Sequence, residues 1–385
     1  MKRIKDALKT ITLYLFRLLF LPFKAFPIRK AVLFCANSGA GFICNPKAIY
    51  EELLRSKFFS DYKLIWCFKD PRKYIDLEKN NNSKICRYRS LKYYFYRITS
   101  KIVITNAIEG TECPKKRKQI RVQTWHGGGS YKKVALLEKK GSSFLKTRTK
   151  INIKNTDLFV SSSRFFTNEV IRVDFGDSGK VVESGMPRND VLFDKANFRN
   201  IRQKVIDTLG IEKDSFIVLY APTWRYVNDA VKPYDFHAVK DMIDKREKRK
   251  VVFLYRQHVY TERNINGVID VTKYPDMQEL MVASDMMISD YSSCIWDYSF
   301  LEKPCFLYCP DLKKYTSERG FVLDIDEWGF PVAETSANLE AAIDNFDLKN
   351  FRRAMDRHHV MLGSFETGIA SKKVVRYLEN LLKNE

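Results

Sequence analysis

The chain has 385 residues, 45% hydrophobic and 14% aromatic, a composition that excludes a disordered protein and favours two domains over a single core. A formal charge of +21 calls for an anionic partner: nucleic acid, acidic lipid or a phosphate-rich substrate. The eight cysteines form no disulfide-like framework, and Cys35, Cys67, Cys305 and Cys309 lie in apolar strand-like runs, as suits buried thiols in a reducing cytosol.

Residues 1–30 read as a separate segment. Lys2, Arg3, Lys5, Lys9, Arg17, Lys24, Arg29 and Lys30 oppose one acid, Asp6, while Ile4, Leu8, Ile11, Leu15, Leu18 and Leu19 recur at helical spacing. Arg17, Pro22 and Lys24 break the apolar run, which is too short and too charged to span a bilayer. The pattern predicts an amphipathic helix lying on an anionic membrane surface. The bland reading is a helix packed on its own protein. A second basic cluster, Lys132 to Lys154, is either part of the same surface or a solvated helix face.

Strand-like and helix-like segments then alternate. Strands are expected over 31–36, 62–68, 101–105, 120–125, 156–160 and 181–183, with a glycine turn (Gly39, Gly41) and a helix through 47–55 after the first. The turn lacks a third glycine at Cys44 and is no dinucleotide fingerprint. The pattern restarts at 216–220, 251–255, 286–289 and 304–308. This is the βα alternation of doubly wound parallel sheets. It predicts two Rossmann-like domains, over 31–212 and 213–385, facing a cleft lined by the carboxyl ends of their strands.

The densest chemistry lies in Gln123-Thr-Trp-His-Gly-Gly-Gly-Ser-Tyr-Lys-Lys133. An imidazole such as His126 exchanges protons near neutral pH. Gly127, Gly128 and Gly129 let backbone N–H groups approach a ligand, and Lys132 and Lys133 add charge. The reading places these glycines where a strand hands over to a helix N-terminus, an anion site. The alternative is a glycine turn with a solvated histidine.

Four later strand ends repeat a phosphate-suited pattern. Gly185–Asp190 puts Arg188 in a turn; Tyr220–Arg225 offers Pro222, Thr223 and Arg225; Leu254–His258 offers Arg256, Gln257 and His258; Ser289–Asp297 offers Ser292 and Ser293 at a helix start. Each alone has a dull reading as a cap, a turn or a core histidine. His237, His358 and His359 read as structural.

The segments Trp125-His-Gly, Gly185–Asp190, Ala221-Pro-Thr-Trp224, Asp290-Tyr-Ser-Ser293 and Glu318-Arg-Gly320 resemble those of the CDP-glycerol glycerophosphotransferases of teichoic-acid synthesis, in order and spacing, across roughly residues 30–345. The resemblance implies a GT-B fold on the cytoplasmic membrane face and transfer of glycerol phosphate from CDP-glycerol to a lipid-linked acceptor. It implies that Trp125, Gly127, Gly128, Gly129, Arg188, Pro222, Thr223, Arg256, Gln257, Ser292, Ser293 and Asp297 line the donor site, with Arg319 a further phosphate partner. His126 and His258 are implied as the two essential histidines. Gly-Gly-Ser-Tyr-Lys after Trp-His-Gly is nearer the shorter primase-like and capsule-associated members than the polymerases, and Val259 stands where proline usually follows the second histidine. The many cations lead us to expect no metal or other cofactor. The competing readings are a ribitol-phosphate transferase, a GT-B glycosyltransferase using a nucleotide sugar and, in another class, a basic nucleic-acid-binding protein. No nucleic-acid partner is expected, because the aromatics fall in strand-like or amphipathic runs and not on one platform.

Overall fold

The computed structural model describes residues 2–80, 82–139, 141–223, 236–257 and 267–384. They fall into two compact units, one of residues 1–128, 133–190 and 364–385, the other of residues 129–132 and 191–363. Where the sequence alone puts a single boundary at 212/213, the chain passes between units several times. Its C-terminal stretch returns to the first because Val374, Val375 and Leu378 complete that unit's core.

In the first unit the strands are β1 (Arg29–Cys35), β2 (Lys63–Phe68), β3 (Ser83–Arg87), β4 (Ser100–Thr105), β5 (Ile120–Gln123), β6 (Leu158–Ser161) and β7 (Lys180–Glu183), all parallel, in the order β3-β2-β1-β4-β5-β6-β7. Alternation along β1 explains the two layers. Val32 and Phe34 join Trp66 and Ile104 on one face, while Ala31, Leu33 and Cys35 join Ile65, Cys67 and Tyr93 on the other. Burial on both faces is what a near-continuous apolar strand requires, so helices cover each side. These helices include α1 (Lys2–Leu19), α2 (Cys44–Arg55), α3 (Leu91–Thr99) and α4 (Ser143–Lys154).

The second unit repeats the plan with β8 (Phe216–Tyr220), β9 (Val251–Tyr255), β10 (Ile269–Asp270), β11 (Met286–Ser289), β12 (Cys305–Tyr308) and β13 (Val332–Ala333), parallel, in the order β10-β9-β8-β11-β12-β13. Its helices are α5 (Phe198–Leu209), α6 (Phe236–Glu247), α7 (Met277–Ala283), α8 (Cys294–Ser299), α9 (Leu312–Glu318), α10 (Ser336–Asp344) and α11 (Leu348–Leu362); α12 (Ala370–Lys383) belongs to the first unit. Both sheets reverse strand order beside their first strand: between β1 and β4, and between β8 and β11. Ligands of open α/β sheets bind outside the carboxyl ends of strands at such switch points.

Strands β3, β10 and β13 escape the sequence reading because they lie on the outer side of a single neighbour and are short or polar. Helix α1 is amphipathic as expected. Leu13, Phe20 and Asp6 are buried, and Ser143 Oγ donates to Asp6 Oδ2 at 3.1 Å. Ile4, Leu8, Ile11, Leu15, Leu18 and Leu19 are all more than half exposed. Among the described residues, no helix is long and apolar enough to cross a membrane. Among the described residues, which include all eight cysteines, there is no disulfide, and six of the eight are buried.

Candidate functional site

At the switch point of the first sheet, β1 ends in a turn whose Asn37, Ser38 and Gly39 all have positive φ. Asn37 N donates to Asn106 Oδ1 at 2.7 Å, which ties this turn to the residue that follows β4. Strand β5 lies beside β4, and Thr124 N bonds Thr105 O at 2.8 Å. Trp125 is then held at φ 51°, a left-handed conformation unfavourable for an aromatic residue and found where surrounding bonds enforce it. Gln123 Oε1 receives Trp125 N at 2.9 Å, and the indole packs edge-on against Phe175.

That turn presents His126 at the surface while Gly127, Gly128 and Gly129 are buried. The ring lies 4.2 Å from that of Trp125, and Nδ1 is 2.7 Å from Asn106 O. A carbonyl oxygen only accepts, so Nδ1 carries hydrogen and the neutral ring has its lone pair on Nε2. Arg188 is brought to the same turn. Its Nη1 donates to His126 O at 2.7 Å, and its backbone N donates to Asn45 Oδ1 at 3.0 Å. Gly185 has φ 89°, and a Cβ there would lie 2.7 Å from Glu366 Oε2, so glycine is required. Glu366 accepts from Met186 N at 3.0 Å and Asn189 Nδ2 at 3.1 Å, fixing the loop that carries Arg188.

The expected helix after the glycines is absent. Among the described residues of 124–142 there is no helix, and the next helix starts at Ser143. Residues 129–132 are instead built into the second unit. There Tyr131 is buried, stacked on Trp328 at 4.6 Å, with its hydroxyl 2.9 Å from His358 Nε2. Val322 N bonds Tyr131 O at 2.6 Å, Lys132 bridges to Phe321, and a Cβ on Gly129 would meet Trp296. Burial of Tyr131 outweighs continuation as a helix. Gly128 O receives Ser162 Oγ at 2.7 Å, so that part of the loop is held by a side chain.

At the switch point of the second sheet, Asp290 Oδ1 accepts from Thr223 N at 2.8 Å and from Thr223 Oγ1 at 2.6 Å. Ser289 Oγ donates to Ala221 O at 2.7 Å. These bonds join the loop after β8, with Pro222 and Thr223, to the loop after β11, with Ser292 and Ser293. Arg256 follows β9; its Nη1 donates to Tyr274 O at 2.8 Å, and burial lowers its pKa. Gln257 bonds Thr272 and Asp270. Asp297 is fully buried inside α8, where Oδ2 accepts from Gln278 at 3.2 Å. Arg319 ends α9. His258, Trp224 and Arg225 lie outside the described residues.

Burial pushes His358 and His359 down to about 4. His358 Nδ1 donates to Glu327 O at 3.0 Å, leaving Nε2 to accept from Tyr131, and His359 lies against Phe300 and Ser299. Residues that sequence reasoning missed are Asn45, Asn106, Glu366 and Asp290 as a support for Thr223. The first three carry no motif signal, whereas Asp290 stands beside the two serines. Among the described residues, no grouping of three or more His, Cys, Asp or Glu side chains could hold a metal ion.

Two doubly wound parallel sheets, each with polar loops at its switch point, make up an α/β fold of the GT-B class. The chain matches the family described as CDP-glycerol:poly(glycerophosphate) glycerophosphotransferase over residues 18–380, and it belongs to that family. It is 33% identical to a teichoic acid poly(glycerol phosphate) polymerase of Bacillus spizizenii, over 91% of this chain and 92% of that protein. It is 28% identical to the Staphylococcus epidermidis protein of the same name, covering 92% of this chain but only 51% of that longer relative. The wall teichoic acid polymerase TagF, in a variant soaked with CDPG, superposes with a TM-score of 0.80 at 27% identity, covering 99% of this chain and 98% of that one.

Proposed function

We propose that this protein transfers glycerol phosphate from CDP-glycerol to a hydroxyl of a membrane-associated acceptor, a lipid-linked glycan or poly(glycerol phosphate), in teichoic-acid synthesis. The acceptor oxygen attacks the glycerol-bearing β-phosphorus. Its new O–P bond forms as the bond to CMP breaks, and its proton passes to Nε2 of His126. The observation that carries this reading is the 2.7 Å contact from His126 Nδ1 to Asn106 O, which sets the tautomer of a surface imidazole at the switch point. Arg188 supplies positive charge at the same turn. Phosphoryl transfer is mostly positioning and charge neutralisation, and the donor phosphates are assigned to the loops bearing Pro222, Thr223, Ser292 and Ser293, with Arg256, Gln257, His258 and Arg319 assigned as further donor partners. Asp297, assigned to the same donor site, is buried within α8, where its Oδ2 accepts from Gln278 at 3.2 Å. Cationic side chains take the part a metal ion plays elsewhere.

Membrane attachment is assigned to α1. Its exposed Ile4, Leu8, Ile11 and Leu15, alongside Arg3, Lys5 and Lys9, suit the plane of an anionic leaflet, and the cytoplasmic face is where CDP-glycerol would be met.

The test is incubation with CDP-glycerol, CDP-ribitol and a panel of UDP-sugars on a synthetic lipid-linked acceptor, with and without EDTA, read by mass spectrometry. Glycerol-phosphate addition that persists in EDTA is expected. Ribitol-phosphate or sugar addition in its place would replace the donor, and loss of turnover in EDTA would overturn metal independence.

A further inference from the structure

The turn that carries His126 and the loop that carries Arg188 are distant in sequence, and both loops meet on one side chain, Asn45. It is the second residue of α2 and fully buried. Its Nδ2 donates to Trp125 O at 3.0 Å and reaches Thr124 O at 3.3 Å, while its Oδ1 accepts from Arg188 N at 3.0 Å. No other residue type of this size offers two donors on one side and an acceptor on the other. The neighbouring Cys44 has φ 64° and its Sγ receives Arg188 Nη1 at 3.4 Å, so the start of α2 is itself shaped to this junction.

We propose that Asn45 is a positioning residue for the transfer reaction, holding the Trp125–His126 turn in its left-handed conformation and setting Arg188 against His126 O. This rests on the assignment of His126 as the base. Trp125 at φ 51° is held through its N–H by Gln123 Oε1 and through its carbonyl by Thr124 Oγ1 at 3.1 Å and Asn45 Nδ2 at 3.0 Å, and Asn45 also ties this turn to Arg188 N. When the amide is lost, the turn relaxes, and the imidazole no longer meets Asn106 O in one tautomer. Aspartate in place of Asn45 keeps the shape but sets an acceptor against two carbonyl oxygens.

The experiment is a double-mutant cycle on CMP release, with Asn45→Asp and His126→Ala alone and together. A residue acting through His126 loses its effect once His126 is gone. Asn45→Asp alone is expected to lower kcat by about 10- to 100-fold with KM for CDP-glycerol changed far less, and to cost less than about threefold in the His126→Ala background. Additive losses, or an Asn45→Asp enzyme with wild-type kcat, would overturn the proposal. If the aspartate variant melts below the assay temperature, Asn45→Leu, which is uncharged and of similar length, carries the same comparison.

A second readout needs no substrate. Nitrogen-15 spectra of labelled histidines should show His126, assigned by its absence from the alanine variant, as the Nδ1–H tautomer in the wild type and as a mixture in Asn45→Asp. An unchanged tautomer would count against the positioning role. A wild type that cannot use CDP-glycerol would remove the functional reading and leave the ring to decide the role of Asn45.

Discussion

His126 Nδ1 lies 2.7 Å from the backbone oxygen of Asn106, and this one contact decides which ring nitrogen takes a proton. Because the partner is a carbonyl, protonation of the neutral ring occurs at Nε2, and a ring protonated there is no longer a base. The rate of CMP release should therefore fall on the acid side of the optimum, with a slope of about tenfold per pH unit. The residual rate of His126→Ala should lack that limb. A variant profile that keeps it would assign the limb to another group.

The second sheet has its own support residue. Asp290 is buried and receives both donors of Thr223, so Asp290→Ala leaves two half-buried donors without that acceptor. The cost to stability is about 1–3 kcal/mol. If the Thr223 loop holds donor phosphate, KM for CDP-glycerol should rise roughly tenfold or more, the order expected for one lost hydrogen bond to a charged group. Steady-state kinetics on the folded variant decide this, and an unchanged KM would remove the loop from the donor site.

Acid should destabilise the second unit through its paired histidines. His358 and His359 stay neutral in the folded protein down to about 4, whereas an ordinary imidazole takes its proton near 6.5. Between those values the unfolded chain binds more protons, so stability rises with pH through the window and is lost as pH falls through it. For the buried His358 the loss amounts to roughly 3 kcal/mol when the window is crossed completely. Urea midpoints measured from pH 7 to pH 4 should drop, and His358→Gln should flatten the drop. An equal drop in that variant would place the acid lability elsewhere.

Membrane binding by α1 is best tested without removing the helix, because Leu13 and Phe20 are buried and Asp6 is bonded to Ser143. Replacing the exposed Ile4, Leu8, Ile11 and Leu15 by serine removes about 1.5–3 kcal/mol of burial each from the membrane-bound state. Co-sedimentation with anionic vesicles should weaken by at least about 100-fold, while turnover of soluble donor stays near wild type. Retained binding would assign attachment to another surface.

Much of this architecture can be read from residue order. The runs around Val32, Ile102, Val218 and Ile288 are apolar on both faces and announce buried parallel strands. His126 and Arg188 stand in motifs, and Thr223 stands at a strand end. What cannot be read is the scaffolding. Asn45 and Asn106 act through bonds to or from backbone groups far along the chain, so their neighbours in sequence say nothing of their role. The glycine run misleads for a related reason. Its continuation is set by Tyr131, whose partners Trp328 and His358 lie about two hundred residues away. Local pattern reports local structure, and this loop is shaped by distant packing.

The central claim is that His126 takes the acceptor proton during transfer from CDP-glycerol. CMP release on a lipid-linked acceptor, compared between the wild type and His126→Ala, tests it most directly. A drop of about 10²–10⁴-fold is predicted for loss of a general base, whereas an alanine enzyme retaining more than about a tenth of the wild-type rate would contradict the assignment.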